Sequence, residues 1–413
     1  MGLKWREYMK KWSVLCLTAC LTAALCACGS SGTTTEESSV AETESIELIE
    51  TESAAESESA AEEAAESEEQ QTENSNESAA QETVTVSYLT GLECTEEERN
   101  SRPLAVMLNN IKAGCPQSGI AEASVIYEAP VEKADVTRLM ALFENWQEME
   151  HIGYIRSSRD YFVYCALEFD AIYAHFGQAT PYVGDLLNSD EVDNISGAVA
   201  GIDRPASKAY MRSDDRKAPH NVYTTGQDVL DAVEKFEYSL TYHDTHSQKF
   251  IFALPGKRIY YDNGTAATVM YPGGKEKGVA NGYSNVQAYF EYNPEDGKYY
   301  RYQYGSEHID EQTGEQLAVD NVIFQYCDGE FRDENGYMAF NVHGGFNEGD
   351  SESQSYRAQV FTGGKMVEAS WFRVNNESPA IYVGEDGNGV ILNPGKTWIC
   401  LIWNDHAEDV VIE

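Results

Sequence analysis

Residues 153–160 read Gly-Tyr-Ile-Arg-Ser-Ser-Arg-Asp and set two guanidinium groups, Arg156 and Arg159, beside the hydroxyls of Ser157 and Ser158. The chain carries 69 acidic against 29 basic residues, so a concentration of positive charge stands out. Apolar residues recur at helical spacing just after it, at Tyr161, Phe162, Cys165, Leu167 and Phe169, with Ser157 or Ser158 as the expected N-cap. The first N–H groups of a helix have no internal partner, and the helix dipole is positive there. An anion between Arg156 and Arg159 would therefore be held from three directions. Arg138 is a third candidate, its planar guanidinium suited to a carboxylate or phosphate. The competing reading is that these arginines pair with the protein's own carboxylates.

A second constellation is Glu128, His175 and His220, which could supply a general acid or base if their loops converge. A single histidine near a strand end is more often only a hydrogen-bonding residue. The polar, turn-rich segment 212–223 carries Arg216, Lys217, His220 and Asn221, and Pro219 keeps it out of a helix interior. The expected ligand-binding set is thus Glu128, Arg138, Arg156, Ser157, Arg159, His175, Arg216, His220 and Asn221. Ser157 lacks the Gly-x-Ser-x-Gly setting of a hydrolase nucleophile. The acidic turns at 190–193 and 385–389 lack EF-hand spacing, and no histidine or cysteine set has metal spacing. No metal and no cofactor is expected.

The elements that must hold these residues alternate in the first half. Strands are expected at 104–108, 125–131, 139–143 and 171–176, with helices after Asp160 and over 229–236, the latter capped at 224–228. Such alternation implies a sheet covered by helices on at least one face. The second half alternates with period two over 249–253, 286–292, 298–304, 319–326, 337–342, 358–362, 367–374, 380–383, 390–392 and 398–403, and reads as β-rich. Tyr300, Tyr302 and Tyr304 recur at period two. They form either a sugar-stacking surface or, the reading preferred here, a cross-strand packing stripe.

The N-terminus reads as an export signal. Lys4, Arg6, Lys10 and Lys11 precede an apolar run at 12–27 that ends Leu25-Cys26-Ala27-Cys28-Gly29, resembling a lipobox with Cys28 as the lipidated residue. Residues 29–83 hold 17 glutamates and no aromatic, Pro, Lys or Arg, a composition that cannot bury a core and implies an acidic tether. As a coil it would average about 40 Å end to end. The expected location is the extracytoplasmic face of the membrane, lipid-anchored. The formal charge is −40 for the whole chain and about −26 beyond the tether, which repels nucleic acid. Any anionic ligand must then be small and recognised locally. Five cysteines follow the signal, Cys94, Cys115, Cys165, Cys327 and Cys400. Cys94 and Cys115 could be bridged, but the odd total favours free, buried thiols.

Several strings occur together and in order: Arg102-Pro103, Ala105-Val106-Met107, Pro116-Gln117-Ser118-Gly119, Tyr127-Glu128, Thr137-Arg138, Ile155-Arg156-Ser157, Arg159-Asp160, the run 216–221, Gly364-Lys365, Trp371 and the run 393–399. In these the chain resembles the YerB-like bacterial lipoproteins, a family without a settled biochemical function. The resemblance spans nearly all of 88–403. It implies an exported α+β protein, a layered sandwich of two β-sheets with a helical layer, with an N-terminal α/β domain (84–240) and a β-rich C-terminal domain (241–413). Tyr154 departs from the Pro or small residue expected before Ile155, which leaves that cleft wall open. The functional expectation is a membrane-tethered binder of a small anionic or glycan-like envelope component, or of a protein partner, in a cleft near Arg156. A cell-envelope hydrolase or transferase using Glu128, His175 and His220 is the alternative.

Overall fold

The computed structural model describes residues 84–197, 201–344 and 355–413. The signal at 1–28 with Cys28, and the tether at 29–83, lie outside the described residues. Among the described residues no helix is long and apolar enough to cross a membrane.

Thr83–Glu413 form one compact unit, a mixed α+β, β-rich fold. Its frame is an 11-stranded sheet in the order Thr265–Ala266, Lys365–Phe372, Tyr356–Thr362, Asn321–Cys327, Thr397–Trp403, Val125–Val131, Val136–Phe143, Leu104–Leu108, Ile172–His175 and Asn194–Ser196, with Ile381–Gly384 also pairing Lys365–Phe372. The segments on either side of residue 240 are hydrogen-bonded into this one sheet, since Val125–Val131 runs parallel to Thr397–Trp403. Three central strands, Val125–Val131, Asn321–Cys327 and Thr397–Trp403, are buried at every residue. Both faces of these strands are therefore covered, and apolar residues dominate them on either face.

Side chains on a strand alternate between faces, and the two faces feed separate cores. Val125, Tyr127, Ala129 and Val131 join one cluster together with Tyr161, Phe162 and Val163 of the helix Asp160–Leu167 and Val183 and Leu187 of the helix Thr180–Leu187. Ile126 joins the other, with Val229 and Val233 of the helix Gly226–Phe236 and with Phe290 and Tyr299 of a second, six-stranded sheet.

Some expectations are corrected here and others hold. The helix after Asp160 has Arg159 as its N-cap with no side-chain cap bond, and Ser158 instead hydrogen-bonds Tyr173 Oη at 2.9 Å. The stretch 286–292 divides into a helical turn, Tyr283–Val286, and a strand, Tyr289–Asn293. The helix Thr180–Leu187 was not anticipated, whereas the Thr225 cap of Gly226–Phe236, bonded to the Asp228 N–H, is where the sequence puts it. Cys94, Cys115, Cys165, Cys327 and Cys400 are all free, the last three buried, so no bridge joins Cys94 to Cys115. The tyrosine stripe packs across strands: Tyr289 and Tyr302 stack at 4.5 Å and Tyr271 stacks on Tyr289 at 5.2 Å. Of the stripe, Tyr302 thus gives one ring face to Tyr289, while Tyr300 bonds Asp296 through its hydroxyl.

Candidate anion-binding site

The strands Leu104–Leu108, Ile172–His175 and Asn194–Ser196 are mutually parallel. The carboxyl ends of parallel strands are where open α/β sheets leave a crevice. Residues 153–158 are laid along that end. Asn109 N–H donates to Tyr154 O at 2.7 Å, Arg156 N–H to Met107 O at 2.9 Å, Phe176 N–H to Arg156 O at 3.1 Å and Ser158 N–H to Gly177 O at 2.9 Å. Arg156 and Ser157 are half-buried at this edge.

The three arginines separate here. Arg159 is buried and ion-paired with Glu132. Arg138, also buried, reaches the same carboxylate at 3.3 Å and donates to Ser157 O at 2.9 Å. The pairing that competed with a ligand therefore holds for these two, and the anion site between Arg156 and Arg159 is not formed as expected. Arg156 differs. Its one side-chain hydrogen bond donates from Nη1 to Pro219 O at 3.2 Å; its Nε is buried with no acceptor, as is that of the ion-paired Arg159, so what sets it apart is that among the described residues no carboxylate lies within ion-pair distance. Loss of solvent, reinforced by the Arg138 charge, pushes its pKa down to about 10. A half-buried guanidinium without a counter-ion favours any anion that reaches it.

His220 adjoins this group on the loop whose Pro219 carbonyl Arg156 holds. Its Nδ1 is 2.9 Å from Asn109 Nδ2, and burial, with Arg156 adding to it, lowers its pKa. Asn221 closes the loop on itself, donating to Ser213 O and accepting from Arg212 Nη1, both at 2.8 Å. Arg216 is a strut. It pairs with Glu311 at 2.5 Å, donates to the carbonyls of Cys115 and Pro116, and lies 4.1 Å over the Tyr154 ring. Tyr154 is thereby buried under the loop, its hydroxyl on Glu311 at 2.9 Å.

Glu128 and His175 lie elsewhere. Glu128 is fully buried on the face opposite Tyr127, where it accepts from Arg301 at 3.0 and 2.8 Å, Thr137 at 2.6 Å and Trp398 Nε1 at 3.1 Å. His175, also fully buried, has Nδ1 2.7 Å from Gly177 O and Nε2 2.8 Å from Asn194 Oδ1; burial pushes its pKa down to about 4 although both oxygens favour the charged ring. Glu128, His175 and His220 share no hydrogen-bond partner, and two of them have no free proton-transfer atom. The structure does not bring them together as a catalytic set.

Sequence reasoning missed Glu132, whose capture of two arginines leaves no local pattern, and Asn109. It also missed a second buried cluster in which Glu168 takes Lys249, Arg373 at 3.4 Å and the Ala380 N–H at 2.9 Å. Two recesses lie away from Arg156. One of about 490 Å³ is lined by Tyr356, Arg357, Glu368 and Val383, with Arg357 and Glu368 already paired at 2.9 Å. The other, about 170 Å³, is lined by Lys249, Phe250, Ile381 and Tyr382.

Residues 89–239 match the family model described as "Protein of unknown function (DUF3048) N-terminal domain", and 279–399 match the model of its C-terminal domain. The chain is 29% identical over 319 residues to "Putative lipoprotein YerB" of Bacillus subtilis, a match covering 76% of this chain and 85% of that protein. The crystal structure of YerB protein from Bacillus subtilis superposes with a TM-score of 0.64 at 24% identity, covering 80% of this chain and 99% of that one. With both family domains in order along the chain and a relative aligned over most of its length, the protein belongs to the YerB-like family.

Proposed function

We propose that this is a lipid-anchored extracytoplasmic protein that binds a small anionic envelope component, through its carboxylate or phosphate group, at Arg156, Ser157 and His220. The observation that carries this reading is the half-buried Arg156 guanidinium with an orphaned Nε and no counter-ion among the described residues, in a chain with 69 carboxylates to spare. The lipobox-like string at Cys28 and a relative described as a putative lipoprotein support the anchoring. Separate cores on the two faces of the long sheet support a layered arrangement. Neither a glycan-stacking role nor a catalytic role for Glu128 and His175 belongs to this proposal.

Thermal denaturation of the purified protein in rising inorganic phosphate or acetate tests it. Ligand at 100 times its Kd stabilises by about 2.7 kcal/mol. The rise in midpoint is expected to vanish in Arg156→Ala and to be weakened in Arg156→Lys, which keeps the charge and loses the fork. A midpoint that rises equally in all three proteins overturns the site.

A further inference from the structure

Asn109 is 1% exposed; one bond fixes which end of its side-chain amide is which, and two bonds to its backbone carbonyl and N–H hold its main chain in place. The Ile111 N–H donates to Oδ1 at 3.2 Å, which only the oxygen can accept. Gln117 Nε2 donates to the Asn109 carbonyl at 2.7 Å. The Asn109 N–H is held by Tyr154 O. The amide nitrogen therefore faces His220 Nδ1 at 2.9 Å. An amide nitrogen donates and does not accept, so Nδ1 must be the bare, accepting nitrogen and the imidazole proton must sit on Nε2. Protonating the ring would set N–H against N–H. Gly114 makes the arrangement fit: a Cβ there would lie 2.0 Å from Asn109 Nδ2 and 2.5 Å from its Cγ.

We infer that Asn109 is a positioning residue that locks His220 as a neutral Nε2–H donor. On the reading of Arg156 as the anion site, the ligand is then met by N–H donors from Arg156 and His220. It is selected as an ionised acceptor, not as a group carrying its own proton. Binding an anion of constant charge takes up no proton at His220. The charges that face His220 agree with this. Arg156 is the one charged group that perturbs it, Lys217 on its own turn accepts its N–H only through a backbone carbonyl, and Arg216 is committed to Glu311. Among the described residues no carboxylate pairs with the ring or raises its pKa.

Two measurements test this separately. Nitrogen-15 NMR of the ligand-free protein, with His220→Gln used to assign the signal, is expected to show protonated Nε2 and bare Nδ1, unchanged from about pH 8 to about pH 5.5. An Nδ1–H tautomer, or titration near the ordinary histidine value, overturns the lock. Sulfate, whose charge is constant across that range, is expected to bind the wild type with an affinity flat in pH. In Asn109→Ala the affinity is expected to rise severalfold on acidification as His220 charges, and to flatten again when His220→Gln is added. Gly114→Ala, which displaces the Asn109 amide without removing it, is expected to behave like Asn109→Ala. A wild type with the same rise overturns the inference. An intact tautomer with no sulfate binding at any pH overturns the anion site and leaves the lock standing.

Discussion

Glu168 and Arg156 mark two ways this molecule treats buried charge. Glu168 lies fully buried on one face of the long sheet and gathers two cations, Lys249 and Arg373, from segments 81 and 205 residues away. Burial pushes its pKa up, but the two cations and the Ala380 N–H overcome this and hold it below the usual carboxylate range. On the other face Glu128 is closed in the same way by Arg301, 173 residues distant. Arg156, at the edge of the same sheet, has no such partner among the described residues. A fold that recruits counter-ions from so far along the chain for its interior charges, and supplies none to a half-buried guanidinium, treats that guanidinium differently.

The largest test of this contrast is removal of an interior carboxylate. Glu168→Ala leaves Lys249 and Arg373 buried together without an anion. Breaking a buried pair of this kind costs about 3–5 kcal/mol, which urea unfolding would read directly. Glu128→Gln, which leaves Arg301 facing a neutral amide, is expected to cost somewhat less. A loss under about 1 kcal/mol for Glu168→Ala would mean that water reaches the two cations, and would put Glu168 in the same class as Arg156.

Local features of the fold were legible and distant pairings were not. Residues 104–108 were readable as a strand because both faces of the sheet are covered and the apolar run is unbroken, and 125–131 because β-branched and aromatic residues open it, although Glu128 interrupts the run. The Thr225 cap was readable because its partner is three residues on. The helix Thr180–Leu187 was obscured by Pro181 and Gly184, although Pro in a first turn is compatible with a helix. At the site, the cationic string at 156–159 was visible. The decision between ligand and internal partner depended on Glu132, which reaches Arg159 and Arg138 only because the turn after Val131 folds back. Nothing in the local pattern around Glu132 reports that. His220 was visible as chemistry, but its tautomer depends on Asn109, 111 residues away.

An intermediate effect is expected from pH. His246 is packed flat on Tyr242 at 3.9 Å and edge-on to Tyr88, and burial pushes its pKa down to about 4. Because the folded pKa lies below the unfolded value of about 6.5, the unfolded chain takes up the proton first on acidification. The contribution of neutral His246 is complete above about pH 6.5 and is lost as the pH falls towards 4, at most about 3 kcal/mol in all. His246→Phe keeps the stacking and is expected to flatten the stability profile between those limits. Unchanged steepness would assign the slope to other groups. The anion site would be untouched, since among the described residues the side chains of Arg156 and His220 bond to Pro219 and Asn109 and not to Tyr88, Tyr242 or His246.

The smallest effect on stability belongs to Arg156. Truncating a paired interior arginine strands its carboxylate, but Arg156→Ala strands none, because the Pro219 carbonyl it leaves belongs to an exposed residue and can take water. It also removes a desolvated charge that Arg138 repels. The unliganded variant is therefore expected within about 1 kcal/mol of the wild type, on either side, while losing its response to phosphate. That combination separates the two classes of charge most sharply. If Arg156→Ala instead costs as much as Glu168→Ala, the guanidinium is holding the 212–221 loop in place as Arg216 does, and its lack of a counter-ion carries no information about a ligand.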